Sequence, residues 1–301
     1  RAIAYSGHHQ TVLSADDARA AGRIVSGRPG FADGSLSTAR FNRPQGLIAA
    51  PGAIYVADTG NHAIRKIDLK AGQVGTLAGT GARGRALPER AAARPTALAS
   101  PWDLEIDGAT LYFANAGTHQ LGRLDLDSGT IGALAGDGAE AIADGPALAA
   151  HLAQPSGLAL GADRRTLYFV DSETSSVRAL QWDGGHARVE TLVGSGLFDF
   201  GHVNGGFAEA RLQHPLGLCW FDGKLLVADS YNDAVRSLDP AARQVEDFDG
   251  GRFTCSDPLC LPLGEPAGIA GDGARVFLVD TNNHRILAYD GAAKRYRTWF
   301  A

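Results

Sequence analysis

The residues with most chemical potential in this 301-residue chain fall into columns at fixed spacing. His9, His62, His119, Ser175, Asp233 and His284 each occupy a polar turn, and Tyr5, Asp58, Asn115, Asp171, Asp229 and Asp280 each stand four residues ahead. Four histidines in one column raise the idea of a metal. Zinc, however, needs its nitrogens within ~2.1 Å of one ion, whereas equivalent turns on packed sheets lie on the order of 10 Å apart. The column is therefore expected to hydrogen-bond its own turns. Short carboxylates before a polar turn are expected to cap backbone N–H groups. Arg65, Arg178 and Arg236 follow on the next apolar run. They should either pair with those aspartates or offer guanidiniums to an anionic ligand.

Departures from the columns mark further candidates. Where other copies carry Gly46, Gly157, Gly217 and Gly268, one copy has Asp103, preceded by Trp102. Glycine permits close approach, so a carboxylate beside an indole sets up either a ligand site or a structural knob. The insertion GLFDFGHVNGGF supplies Phe198, Phe200, His202 and Phe207, read as a local mini-core or a partner-binding patch. The enzyme alternative is a metal site built from Asp103 with His151 or His214. No hydrolase elbow, P-loop, HExxH, EF-hand or dinucleotide fingerprint is present. Cys219 lies in an apolar run and reads as a buried small hydrophobe. Cys255 and Cys260, in CSDPLC, could close a small disulfide loop but are read as free thiols, and three cysteines do not make a disulfide scaffold.

These columns must be positioned by a repeated element. Pro44, Pro101, Pro155, Pro215 and Pro266 each open a copy, with steps of 57, 54, 60 and 51 residues. Complete copies start near 43, 100, 154, 214 and 265, and a sixth, headless copy occupies residues 1–27. Each copy reads as four short strands rich in Val, Ile, Leu and Tyr, separated by Gly, Asp, Asn or Pro turns. Without helical periodicity between them, the expected fold is all-β. It is a single six-bladed β-propeller over residues 1–301, whose first blade lacks its innermost strand and keeps three. The absence of Met and the start at Arg1 suggest an upstream segment. Strands of alternating direction place the second-to-third turns and the blade-to-blade insertions (28–42, 80–100, 137–154, 195–214 and 251–265) at one end. In three insertions Asp33, Asp144 and Asn204 are expected to cap short helical turns whose Phe41, Leu152 and Leu212 plug inward. A net charge of −5 argues against a phosphate-backbone binder, and no apolar run reaches the ~20 residues of a membrane span. No cofactor is called for, and a monomer is expected.

GNHAIRKID and NNHRILAYD contain the Asn-His-x-Ile pattern itself, and the chain resembles the NHL repeat family over essentially its whole length. SPWDL, AGTHQ, AQPSGL, DSETSSVR, LQHPLG, VADSYN and VADTGNH, in this order, are similar to the branch that combines a thioredoxin-like domain with the propeller. The resemblance implies a propeller, an interaction role and no catalytic residue. With no Cys before Cys219, any thiol chemistry it implies would belong upstream. The function expected is a non-enzymatic scaffold that presents its long loops to a protein, peptide or small ligand. The alternative is a metal-dependent lyase or lactonase.

Overall fold

A computed structural model describes residues 2–6, 9–13, 28–251, 253–257 and 261–300. Each complete repeat folds as an antiparallel meander. The first blade comprises Leu47–Ala50, Ala53–Asp58, Ala63–Asp68 and Gln73–Ala78. Equivalent quartets begin at Pro101, Pro155, Pro215 and Pro266. In the first four blades a two-residue strand from the preceding insertion (Gly34–Ser35, Ala91–Ala92, Gly145–Pro146, Gly205–Gly206) adds a fifth edge beside the fourth strand. The chain is an all-β β-propeller, but the described residues form five blade sheets, not the six expected. What stands at the N-terminus is a two-stranded hairpin, Ala2–Ser6 against His9–Leu13. Within this sequence that headless copy has no counterpart of the proline-led first strand of the five complete copies. Its expected third strand lies in residues 14–27, outside the described residues.

The chain divides into two compact units, residues 1–156 with 186–188, and residues 157–185 with 189–301. The second strands are buried on both faces, as in Ala53–Asp58, where all six residues are buried, which is why they read as near-continuous apolar runs. Within the first unit, Tyr55, Ile64, Leu104, Leu111, Phe113 and Leu124 form one core. Within the second, Val170, Val193, Leu212 and Leu225 form another, and Leu226, Leu278, Leu287 and Tyr296 a third. Each such side chain contributes roughly 1.5–3 kcal/mol when fully buried.

Within a blade the second-to-third turn lies beside the incoming insertion. Gly60 N–H donates to Asn42 O (2.8 Å), Gly117 to Ala99 O (2.9 Å), Tyr231 to Gln213 O (3.1 Å) and Asn282 to Gly264 O (3.0 Å). Two sequence expectations for the insertions change. Asp33 and Asn204 do not cap the turns that follow them; they face Arg65 and Arg236. A buried guanidinium attracts a polar side chain more strongly than the open end of a single turn does. Leu152 and Leu212 are buried, while Phe41 is half-buried beneath the Arg65 guanidinium, 5.0 Å from its ring centroid. Cys219 is a buried free thiol pushed up to about 12 by desolvation. Cys255 is disulfide-bonded, which corrects the free-thiol reading; Cys260 lies outside the described residues.

Candidate functional site

The columns form a hydrogen-bonded staple, built one residue at a time. The carboxylate ending the second strand accepts from the N–H two residues before the proline of its own blade. Asp58 takes Asn42 N–H (2.7 Å), Asp229 takes Gln213 N–H (2.7 Å) and Asp280 takes Gly264 N–H (2.7 Å). The next residue donates forward to a proline carbonyl of the following blade: Thr59 to Pro101 (2.6 Å), Ser172 to Pro215 (3.0 Å) and Ser230 to Pro266 (2.6 Å). The asparagine of the turn bridges carboxylate and insertion, Asn61 to Asp58 (2.8 Å) and Gly30 O (2.8 Å). Asn232 does the same for Asp229 (2.8 Å) and Gly201 O (2.8 Å).

The histidine column closes the staple. His62, His119, Ser175, Asp233 and His284 are left-handed, with φ between 49° and 54°. His62 Nδ1 accepts Ser100 N–H (3.0 Å), His119 Nδ1 accepts Gln154 N–H (3.2 Å), Ser175 Oγ accepts His214 N–H (3.1 Å) and Asp233 Oδ1 accepts Glu265 N–H (2.7 Å). Each donor precedes a proline and is itself left-handed, with φ from 46° to 62°. A left-handed backbone outside glycine costs roughly 1–2 kcal/mol, and the acceptor on the preceding turn helps to hold it. Burial and the charge of Arg83 hold His62 below the ordinary histidine value, as an Nδ1 acceptor requires.

Arg65, Arg178 and Arg236 are fully buried. Arg65 meets Asp58 (2.7 Å) and Asp33 (2.8 Å), Arg178 meets Asp171 (3.0 Å), and Arg236 meets Asp229 (3.0 Å) and Asp247 (3.0 Å). In the second blade Asn115 takes the carboxylate's place and Gly122 the arginine's, and Gln120, two residues earlier on the third strand, supplies the polar link. Asn115 accepts Ala99 N–H (2.9 Å), and Gln120 bridges Leu87 N–H (2.7 Å) to Gly136 O (3.1 Å).

The insertion 195–213 presents the aromatic residues. Ser195 and Arg211 both hold Asp199, the latter at 2.6 Å, and the Ser195 bond leads the causes that keep Asp199 below the usual carboxylate range. Gly201 N–H donates to Leu212 O (2.9 Å) and Arg211 N–H to Val203 O (3.0 Å), so the loop is tied at both ends. Phe207 is buried under Arg243, 4.9 Å from its ring centroid. Phe198 is 91% exposed and Phe200 52%. Leu197 and Val203 are exposed beside them, and Tyr231, on the turn bonded to Gln213, is exposed and stacks on His214 at 4.5 Å. Of nine exposed large hydrophobics among the described residues, four fall in 197–203. Sequence reasoning named Phe198 and Phe200. It passed over Leu197, Val203 and Tyr231, whose only signal was adjacency to them. His202 pairs with Asp247 (Nε2–Oδ1, 2.6 Å).

Trp102 and Asp103 are half-buried in the strand Pro101–Asp107, where a Cβ added at Gly46 would meet Asp103 Cα at 2.6 Å. His151 lies 3.3 Å from Asp137 and His214 is half-buried against Tyr231. Among the described residues no group of three His, Cys, Asp or Glu is placed to hold a metal ion. No helix among them is long and apolar enough to cross a membrane. A cleft of about 360 Å³, missed in the sequence, opens between Phe31, Asp33, Thr76, Thr80 and Arg94.

Comparison with known proteins agrees with the motif reading. No family model matches the chain. The chain is 40% identical over 279 residues to the chloroplastic protein SUPPRESSOR OF QUENCHING 1 of Arabidopsis thaliana, a match covering 88% of this chain and 26% of that protein. It is 37% identical to the NHL repeat-containing protein 2 of Homo sapiens, covering 96% of this chain and 44% of that protein. It therefore spans less than half the length of these relatives. Among solved structures it is similar to a chain of the nidogen/laminin complex, with a TM-score of 0.58 at 17% identity over 86% of this chain and 81% of that one. A streptogramin B lyase follows, with a TM-score of 0.54 at 13% identity over 87% and 70%. At such identities these two structures speak to the fold alone.

Proposed function

We propose that this chain, an NHL-repeat β-propeller homologous to NHL repeat-containing protein 2, is a non-enzymatic interaction module that seats a protein or peptide on its insertion 195–213. The observation that carries this reading is the pair Phe198 and Phe200, held out into solvent on a loop tied down by Asp199, Arg211 and Leu212. Exposed aromatics on a preordered loop are costly to keep for the free molecule and well suited to anchoring a partner, because little conformational freedom is lost on binding. The half-buried Trp102 and Asp103 are a second candidate contact, in the first compact unit. Buried Arg65 and Arg236 serve by fixing the insertions, and Arg178 by pairing with Asp171, rather than by meeting the ligand. If a thioredoxin-like domain accompanies this propeller in a longer protein, as the resemblance implies, the loop would select the protein on which that domain acts.

The test selects peptides that bind the protein from a random displayed library, then measures their affinity for a Phe198→Ala/Phe200→Ala variant. Both side chains are exposed, so unfolding stability should stay within about 0.5 kcal/mol of the parent. Affinity for loop-directed peptides should fall about 30-fold or more, the equivalent of about 2 kcal/mol for an anchor residue. Selected peptides indifferent to both substitutions would remove the proposal, as would a stoichiometric divalent metal in the purified protein.

A further inference from the structure

We infer that the cleft between Phe31, Asp33, Thr76, Gly79, Thr80 and Arg94 is a site for the cationic side chain of a peptide, an arginine above all, seated on the outer carboxylate oxygen of Asp33. It lies wholly within the first compact unit and does not rest on the aromatic loop. The carboxylate is aimed from behind. Asp33 Oδ1 accepts from the fully buried Arg65 (2.8 Å) and from Thr76 Oγ1 (2.7 Å), which leaves Oδ2 facing outward. Burial alone would raise the Asp33 carboxyl, but the Thr76 hydrogen bonds and Arg65 outweigh it, so the group stays ionised.

The molecule already shows what this oxygen accepts. Arg94, from the following insertion, reaches it at 3.3 Å with a side chain 72% exposed. An exposed pair at that distance is weak and readily exchanged, so Arg94 is an internal stand-in for an incoming guanidinium. The fourth blade repeats the arrangement with other residues. Thr76 lies opposite Arg65 in the strand register, and Asp247 lies opposite Arg236. There the carboxylate has moved from the insertion to the fourth strand, Asn204 stands where Asp33 does, and the surface partner is the His202 imidazole, 2.6 Å away. Both blades thus build a carboxylate anchored on a buried arginine and turned toward a nitrogen-bearing side chain at the surface, a guanidinium in the first blade. The first blade adds a cleft, of about 360 Å³, with Phe31 and Gly79 to line the alkyl stem.

The experiment titrates Nα-acetyl-arginine methylamide into isotope-labelled protein and follows amide shifts of Phe31, Asp33 and Thr80. The citrulline and glutamate analogues serve as neutral and anionic comparators. Arg94→Ala should tighten arginine binding about fivefold by removing the internal competitor. Asp33→Asn should abolish it, and citrulline should shift nothing. Arginine binding that Arg94→Ala leaves unchanged or weakens would overturn the assignment, as would equal binding of citrulline. A glutamate analogue that binds more tightly and is lost in Arg94→Ala would instead make the cleft an anion site. Should Asp33→Asn unfold, the Arg94→Ala and citrulline comparisons decide the matter by themselves.

Discussion

At the scale of single residues, the histidine that gives the repeat its signature is a hydrogen-bond acceptor. Ser100 N–H donates to His62 Nδ1, which is possible only while that nitrogen carries no proton. Burial, then Arg83, pushes the His62 pKa below its ordinary 6.5. A group with a depressed folded value lends stability that is complete above the unfolded value and lost as pH falls through the folded one. His62→Ala should therefore cost about 1 kcal/mol at pH 7.5, the worth of one hydrogen bond, and less at pH 5. His62→Asn, which keeps an acceptor and suits the left-handed backbone, should cost less and lose that pH dependence. Urea unfolding of the three proteins at both pH values checks this; equal costs for His62→Ala at pH 7.5 and 5 would rule the role out. The column itself was legible because its spacing from the aspartates is invariant. Its partner was not, since the donor stands 38 residues further on and no local pattern couples the two.

At the scale of elements, strands and turns were readable because Gly, Pro, Asp or Asn punctuates them and the second strand of each blade is a nearly continuous apolar run. The insertions were not. Asp33 has the composition of a helix cap, and only the fold reveals the buried Arg65 that claims it. The glycine column Gly46, Gly157, Gly217 and Gly268 did signal a close approach of neighbouring first strands, but not which atoms meet. A Cβ at Gly217 would lie 2.1 Å from Ala267 O, a backbone atom that cannot step aside, whereas one at Gly75 meets nothing within 4 Å. Gly217→Ala should destabilise by about 1–3 kcal/mol through strand displacement. Gly75→Ala should be neutral or stabilising by about 0.5 kcal/mol, because the unfolded chain loses freedom without native strain. Chemical denaturation of the two variants reads the contrast directly, and equal effects would show that the first strands have slack to separate.

At the scale of the whole molecule, five proline-anchored copies became five blades, while the headless sixth copy imitated the repeat without the strand that starts a blade. The same repetition shapes the response to acid. Nine aspartates among the described residues sit below the usual carboxylate range. Several do so because they accept backbone N–H groups in tight turns, as Asp68 does from Ala71, Asp125 from Ser128 and Asp290 from Ala293. Their contribution is present above the unfolded value near 3.8 and disappears as pH drops through their lower folded values. Asp58 and Asp229 work against this, because desolvation raises them and protonation relieves that burden as the pH falls. Protonating either, however, would leave the fully buried Arg65 or Arg236 with only its second carboxylate, Asp33 or Asp247, and a buried charge that loses one of its two partners is costly. The lowered group should therefore dominate. Beyond the smaller histidine effect, Tm should fall steeply between about pH 4.5 and 2.5. Calorimetric scans across that range decide it: a Tm that rises on acidification would mean that the two buried carboxylates, not the turn aspartates, govern the stability of the propeller.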